Sequence, residues 1–442
     1  MPYRQIRGRK PFERASKIAH AEIINNPAVQ AFVQDCQLPD PPSEGELEAL
    51  LVEIPSSSER LQTVIAVDGG LTETWIRDEY PSASVAFVTL GPLLLRLEDL
   101  VDLDAMPFIA PEDMQRLKSI QRYSFVLPTK AVKPKSAGTF SEGVRAAVQG
   151  FLSEGDGHLL QALGWLLFRE WLTAAERSPW VIPRCPNPDC TARDITFESG
   201  GPVEQPCSEC HRAIYLADAL RLYERIDDEQ GAGAILAYLL TAVEQVVLVH
   251  VIRSVWDMKP DLLGEILFVK DGPLAFFGVT APLFRPMRDL MRFLGSSDNG
   301  SLISLVGLEK SGPFVEHAAQ IEEAIPANHA LVLSSPYIYK HITPGPPDKD
   351  FGRNTYYGAK VIFRGRANDT YVATVPTLEY VSSPTFKDLL NGPDVLQTTS
   401  RLRCSMYDNA LLPVVLANRL VSLADVPSSE ILKRFAKHEI SS

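Results

Sequence analysis

Two stretches of sequence decide the fold: Val64-Ile65-Ala66-Val67-Asp68-Gly69-Gly70 and Ile266-Leu267-Phe268-Val269-Lys270-Asp271-Gly272-Pro273-Leu274. Each is an apolar run rich in β-formers that reaches an aspartate followed by glycine. Each therefore predicts a buried strand, at residues 63–67 and 266–270, that ends at its aspartate. One Asp-Gly pair is most often a simple turn. Two of them on neighbouring strands would place two carboxylates together, and such pairs hold divalent metal ions for phosphoryl chemistry.

The composition of the chain is ordinary for a soluble globular protein. Its 442 residues are enough for two or three domains. We identify no apolar run near the ~20 residues of a membrane span and no signal peptide at the basic N-terminus, so we predict a cytoplasmic protein without a membrane contact. The net charge of -12 argues against a generally basic surface. It does not exclude nucleic acid, because carboxylates can gather at a metal site while basic residues line a groove.

The N-terminal segment is strongly basic. Its first 20 residues contain one acid, Glu13, and six basic residues: Arg4, Arg7, Arg9, Lys10, Arg14 and Lys17. This pattern is typical of a solvated, partly disordered arm. A contact with nucleic acid or with a partner protein is the alternative.

Hydrophobic periodicity and breaker residues predict an alternation of helices and strands. The predicted helices lie at residues 12–38 (with a break at Pro27), 44–54, 140–176, 214–254 (with a break near Gly231), 284–294, 316–324, 409–423 and 428–438. Besides the two strands above, we predict strands at 83–95 and 302–308 and a hairpin at 360–363 and 371–375. The first of these would pair antiparallel with residues 63–67 through a connection at 71–81. Residues 97–106 are predicted to be an acidic surface segment, and 110–135 a loop.

Four of the six cysteines form a metal-binding pattern. Cys185 and Cys190 are separated by four residues, and Cys207 and Cys210 by two. Two short-spaced thiolate pairs separated by a loop can close a tetrahedral site, for which zinc is the natural ion. Four thiolates leave no open position for chemistry, so we predict a structural zinc ribbon, with redox or iron sites as the alternatives.

Further charged residues lie between and after the two aspartates. Glu244 is the one acid in the apolar segment 237–248, and it needs a partner, a buried arginine or a metal, unless its helix face reaches water. Arg285, Arg288 and Arg292 follow a helical spacing that places them on one face, which suits a phosphate backbone or a plain solvated surface. Lys310 follows the strand at 302–308 and could neutralise a phosphate or simply lie exposed at the strand end.

The order of Asp68-Gly-Gly, Glu244 in a buried helix, Asp271-Gly-Pro-Leu and Glu-Lys310 resembles the NurA nuclease family. The resemblance covers the core motifs and leaves out the cysteine segment. It implies an RNase H-like core, a role in processing DNA ends with the hexameric ATPase HerA, and a homodimer. It also implies that Asp68, Glu244 and Asp271 bind Mn²⁺ or Mg²⁺ for phosphodiester hydrolysis.

The sequence departs from the family pattern near its C-terminus. The family usually has a tyrosine there and a histidine eight residues later. On the matching register, Ala410 takes the place of the tyrosine and Asn418 that of the histidine. An asparagine can ligate a hard cation through its carbonyl oxygen but cannot act as a general base.

We therefore predict an α/β fold, an RNase H-like mixed sheet flanked by helices, with an inserted zinc ribbon. The predicted division is an N-terminal helical segment (1–60), a first core part (61–180), the ribbon (181–212) and a second core part (213–442). The predicted function is a metal-dependent deoxyribonuclease acting in DNA end processing or antiviral defence. Two alternatives remain: a nucleic-acid-binding module whose acids are structural, and a structural partner of the ATPase.

Overall fold

The computed structural model describes residues 22–36, 38–77, 80, 82–99, 118–119, 122–296, 303–346, 348–404, 411–422 and 428–441. The basic segment from Arg4 to Lys17 lies outside these ranges, as do residues 100–117 and Ala410.

The described chain is built around one large mixed sheet. Its strands are β1 (Leu51–Glu53), β2 (Thr63–Arg77), β3 (Ala83–Arg96), β4 (Lys118–Ser119), β5 (Tyr123–Lys130), β10 (Ile266–Asp271), β11 (Ser304–Glu309), β12 (His329–Val332), β13 (Gly358–Arg364) and β14 (Thr370–Pro376). Two separate hairpins lie between β5 and β10 in the chain. They are formed by β6 (Trp180–Arg184) with β7 (Arg193–Phe197) and by β8 (Glu204–Pro206) with β9 (Ala213–Tyr215). The order across the sheet is β1-β12-β13-β14-β11-β10-β2-β3-β4, with β5 also paired to β3. Strand β10 pairs parallel with β2 and with β11, while the other described pairs of this sheet are antiparallel.

Helices cover both faces of the sheet. They are α1 (Pro27–Asp35), α2 (Glu44–Leu50), α3 (Phe140–Leu152), α4 (His158–Phe168), α5 (Leu236–Met258), α6 (Phe284–Gly295), α7 (Pro313–Ile321), α8 (Ser335–His341), α9 (Gly392–Arg401), α10 (Leu412–Val421) and α11 (Ser428–Ser441). The predicted α/β class, a mixed sheet flanked by helices, is confirmed.

Side-chain alternation along the central strands separates two apolar cores. Ile65, Val67 and Phe268 pack with the helical layer that contains α3 to α6. Val64, Ala66, Leu267 and Val269 pack on the opposite face with residues of α9 and α10. Because successive strand residues point to opposite faces, the parity of a position fixes which layer it meets.

Several predicted elements differ from the structure. Strand β2 continues to Arg77 rather than ending at Asp68, because β3 pairs along its whole length and the two form a long hairpin. Residues predicted as a loop at 110–135 contain strand β5, whose Tyr123, Phe125 and Leu127 alternate inward. The predicted helix at 44–54 ends at Leu50 and is followed by edge strand β1.

The predicted helix at 214–254 is also only partly correct. Residues 216–235 contain three short 3₁₀ segments, and the continuous helix α5 begins at Leu236. The expectation that no apolar run is long enough to span a membrane was wrong by length and composition, since Gly233–Met258 meets both conditions with a mean hydropathy of 2.0. Within this segment, 72% of the apolar 18-residue window is buried inside the protein, between the sheet and the neighbouring helices.

Candidate active site

The two aspartates of the quoted motifs lie at one level of the sheet. The parallel pairing of β10 with β2 runs from Ile266 opposite Thr63 to Lys270 opposite Val67. Asp271 and Asp68 are the next residues of their strands. Both continue the set that includes Ala66 and Val269, so both project toward the face that carries α10.

Asp68 is almost completely buried, with 2% of its surface exposed. Its Oδ1 accepts a hydrogen bond from the Gly69 amide at 2.8 Å. Its Oδ2 is buried and has no hydrogen-bond partner among the described residues. Burial, and then the nearby carboxylates of Asp271 and Glu244, raise the pKa of Asp68 to about 7. Such a group favours either a proton or a cation beside it.

Asp271 forms the open side of the site. Its Oδ2 accepts a bond from the Lys310 Nζ at 2.9 Å, and the two side chains are 25% and 36% exposed. Lys310, which follows β11, thus lies next to the candidate site and is also partly exposed. Approach from solvent is possible on this side because neither group is buried.

Glu244 projects from α5 on the other face of the sheet. A Cβ atom at position 69 would lie 3.2 Å from its Oε1, so Glu244 is close to the Asp68 backbone. Its Oε2 accepts a bond from the Lys270 Nζ at 2.9 Å, and both side chains are buried. Burial raises the pKa of Glu244, an effect that Lys270 opposes.

Lys270 was missed by the sequence analysis, which left a buried arginine or a metal as the partner of Glu244. The signal was present in the quoted stretch. A lysine at the position two residues after Phe268 in an otherwise apolar strand must face the helical layer, and Glu244 is the one acid in the apolar helix segment that lies there. A buried lysine needs such a carboxylate.

Two of the three predicted acidic ligands suit a divalent cation. Asp68 and Asp271 offer hard oxygen donors from one face of the sheet. The buried Oδ2 of Asp68, which has no hydrogen-bond partner in the described part of the chain, is able to bind a cation. Glu244 is less suited, because its carboxylate is already paired with Lys270, and this pair lies on the face of the sheet opposite to the two aspartates. Consistently, the oxygens of the three acids do not all lie within 4.8 Å of one another; within the described ranges, that spacing is met by the four cysteines alone.

Asn418 lies in α10, on the face of the sheet toward which Asp68 and Asp271 project. Helix α10 packs closely on β2 and β3. A Cβ atom at position 70 would collide with the carbonyl oxygen of Val421, the last residue of this helix. Asn418 itself is exposed.

The predicted arginine stripe has protein partners. Arg292 forms ion pairs with Asp289 at 3.1 Å and with Glu379 at 2.8 Å. Arg288 is half-buried and donates to the backbone carbonyl of Tyr356, while Arg285 is exposed. Two of the three guanidinium groups are therefore engaged within the protein instead of being presented together to a ligand.

The four cysteines come together as predicted. The Sγ atoms of Cys185 and Cys210 are 3.7 Å apart, and those of Cys190 and Cys207 are 3.6 Å apart. A tetrahedral site with Zn–S bonds of ~2.3 Å has sulfur–sulfur edges of about 3.8 Å, whereas a disulfide requires about 2.05 Å. The cluster therefore has the dimensions of a four-thiolate zinc site.

Comparisons with known proteins give only weak similarities. No family model matches the chain, and no curated protein matches it. Among solved structures, the NurA nuclease from Sulfolobus solfataricus has a TM-score of 0.35 at 8% identity, with 97% of this chain and 98% of that chain covered. A structure of NurA with manganese has a TM-score of 0.31 at 13% identity, with 95% of each chain covered. TM-scores this low do not establish a shared fold, so an assignment of function must rest on the residues of this chain.

Proposed function

We propose that the protein is a metal-dependent deoxyribonuclease. One observation carries the proposal: two aspartates lie at the same level of neighbouring strands, beside a partly exposed lysine. One of the two is buried, with an oxygen that has no hydrogen-bond partner among the described residues. Buried carboxylates that repel one another are costly unless a cation balances them.

Asp68 and Asp271 would hold Mn²⁺ or Mg²⁺, which when bound lowers the pKa of a water molecule and stabilises charge on a phosphate. Lys310 would neutralise the phosphate of the scissile strand on the exposed side. Asn418 could add a carbonyl oxygen from α10. Glu244 would act together with Lys270 rather than as a free ligand, and of the arginine stripe Arg285 is the member left to meet DNA.

The same proposal includes the RNase H-like architecture that the family resemblance implies. Strands β5, β3 and β2 are antiparallel, and β10 and β11 continue the sheet in parallel with β2. The cysteine segment at 181–212 would be a structural zinc ribbon. Its residues Ile182, Ala192 and Phe197 pack into the main helical core, so a metal bound there would stabilise the helical layer as well as the ribbon.

We further propose that the protein works in the cytoplasm as a homodimer on a HerA-like hexameric ATPase, in DNA end processing or antiviral defence. The sequence resemblance is the main support. The net charge of -12 adds to it, because a repulsive overall field makes DNA a poor substrate in free solution. A motor that delivers DNA would supply substrate at high effective concentration.

A non-catalytic role is the second candidate. The ion pairs of Lys270 with Glu244 and of Lys310 with Asp271 balance two of the three acids without a metal. On this alternative the protein would bind nucleic acid or the ATPase, and its acids would be structural.

Incubation of the purified protein with single- and double-stranded DNA separates the two candidates. The nuclease proposal requires cleavage with Mn²⁺ that is absent with chelator. Stable DNA binding with no cleavage under any divalent metal would favour the second candidate.

A further inference from the structure

Lys270 is buried directly behind the candidate metal site, and the roles above assign it only its ion pair with Glu244. Its Nζ has two acceptors: Glu244 Oε2 at 2.9 Å and the backbone carbonyl of Asp271. The lysine thus connects the long buried helix α5 to the backbone of the residue whose side chain projects to the opposite face.

The backbone changes direction at this point. The pairing of β10 with β2 ends at Lys270, so Asp271 lies just beyond the β2 ladder. The next residue, Gly272, has a φ of 83° and donates its amide to the Leu308 carbonyl at 2.6 Å. The Asp271 carbonyl would lose its ammonium donor without Lys270, and the loss of such a hydrogen bond is unfavourable.

We propose that Lys270 is a positioning residue that fixes the Asp271 backbone and thereby the direction of the Asp271 carboxylate toward the metal. This inference rests on the proposed function for its metal, while the contact with the backbone is independent of it. Glu244 holds the lysine in place through their ion pair. This buried acid therefore contributes to the site although it lies on the face opposite to the two aspartates.

A second buried ion pair provides a matched control. Arg145 and Asp218 are 6% and 4% exposed and meet at 2.6 Å. Arg145 also donates to a backbone carbonyl, that of Ala213. This pair joins α3 to the segment after β9 and does not contact β10, so its loss should reduce stability without moving Asp271.

The test compares Lys270→Met, Lys270→Arg and Arg145→Met with the wild type. Hydrogen exchange of the segment 266–276, followed by mass spectrometry in chelator, reports the backbone without metal. Titration calorimetry with Mn²⁺ reports metal affinity. We expect Lys270→Met to accelerate exchange in this segment and to weaken Mn²⁺ binding by roughly 10- to 100-fold. Lys270→Arg should recover part of both, and Arg145→Met should change neither.

Unchanged exchange at 266–276 in a folded Lys270→Met protein would overturn the proposal. If Lys270→Met does not fold, Glu244→Gln takes its place in the test, because this substitution weakens the ion pair that holds Lys270 without creating a cavity. Unchanged exchange at 266–276 in Glu244→Gln would equally overturn the proposal. If exchange rises but the wild type binds no Mn²⁺, the proposed function fails and the metal-positioning role with it, while the backbone contact stands.

Discussion

At the scale of single residues, Asp68 has the most unusual environment in the candidate site. It is buried, one of its oxygens lacks a described partner, and two other acids lie near it. The quoted sequence predicted an acid at a strand end, and the structure places it in the middle of a long strand. Because the side chain is 2% exposed and projects toward the face that carries α10, its charge depends on the groups that meet it on that face.

The raised pKa of Asp68 makes the stability of the metal-free protein depend on pH. An aspartate in the unfolded chain has a pKa near 3.9, and in the folded protein the pKa is about 7. Between these values the folded state binds more protons, so the free energy of unfolding falls as pH rises from 4 to 7.

Urea unfolding at pH 5 and pH 7.5 in chelator should show this fall in the free energy of unfolding, and Asp68→Asn should reduce the fall. Asp257→Asn, at an exposed position, should leave it unchanged. An equal fall in wild type and Asp68→Asn would refute the pKa assignment.

At the scale of elements, α10, the helix that carries Asn418, packs closely on β2, on the face toward which Asp68 and Asp271 project. Gly70 permits this contact because a Cβ atom there would collide with the Val421 carbonyl oxygen.

We predict that Gly70→Ala lowers the free energy of unfolding by roughly 1–3 kcal/mol, the usual cost of overpacking. The matched control is Gly45→Ala in α2, where a Cβ atom meets nothing within 4 Å, so a neutral or slightly stabilising effect is expected. Thermal unfolding measures both. Equal effects of the two substitutions would show that α10 does not pack on Gly70.

The cysteine cluster gives a second prediction at this scale. We expect about one zinc per chain in the wild type and its loss in Cys207→Ser. The melting temperature of Cys207→Ser should also be lower, because apolar residues of the ribbon pack in the helical core. Elemental analysis and thermal unfolding check this. The control is Cys404→Ser, which changes a buried cysteine outside the cluster and should retain the zinc. Zinc-free protein from a chelator-free purification would contradict the prediction.

The sequence was informative where local pattern and burial agree. The strands at Asp68 and Asp271, the helix that begins at Phe284 and the hairpin of β13 and β14 follow directly from hydrophobic runs and breakers. Sequence patterns could not show that β2 continues past Gly70, because that extension depends on pairing with β3. They also could not show that Glu244 and the aspartates lie on opposite faces, since that depends on which layer α5 joins.

At the scale of the whole molecule, the net charge of -12 produces an overall field that repels a polyanion such as DNA. The four-part division of the chain stays a prediction, although residues 51–53 of the first part contribute edge strand β1 to the sheet.

The basic segment at residues 1–17 is our candidate contact with a motor or with the entering strand. Its deletion should weaken complex formation with a HerA-like ATPase, or motor-coupled cleavage, and leave slow cleavage of short oligonucleotides unchanged. Light scattering of the full chain should give a dimer. A monomer at micromolar concentration that degrades long duplexes at full speed without a motor would contradict the motor-fed mechanism.

The most direct measurement is the Mn²⁺-dependent rate of DNA cleavage by Asp68→Asn and Asp271→Asn, beside the wild type and Asp257→Asn. Loss of a ligand charge from a metal site removes several kcal/mol of transition-state stabilisation. Both site variants should therefore be folded and inactive, and Asp257→Asn should cleave at the wild-type rate. Cleavage by Asp271→Asn at the wild-type rate, at matched metal concentration, would show that these aspartates are not the active site.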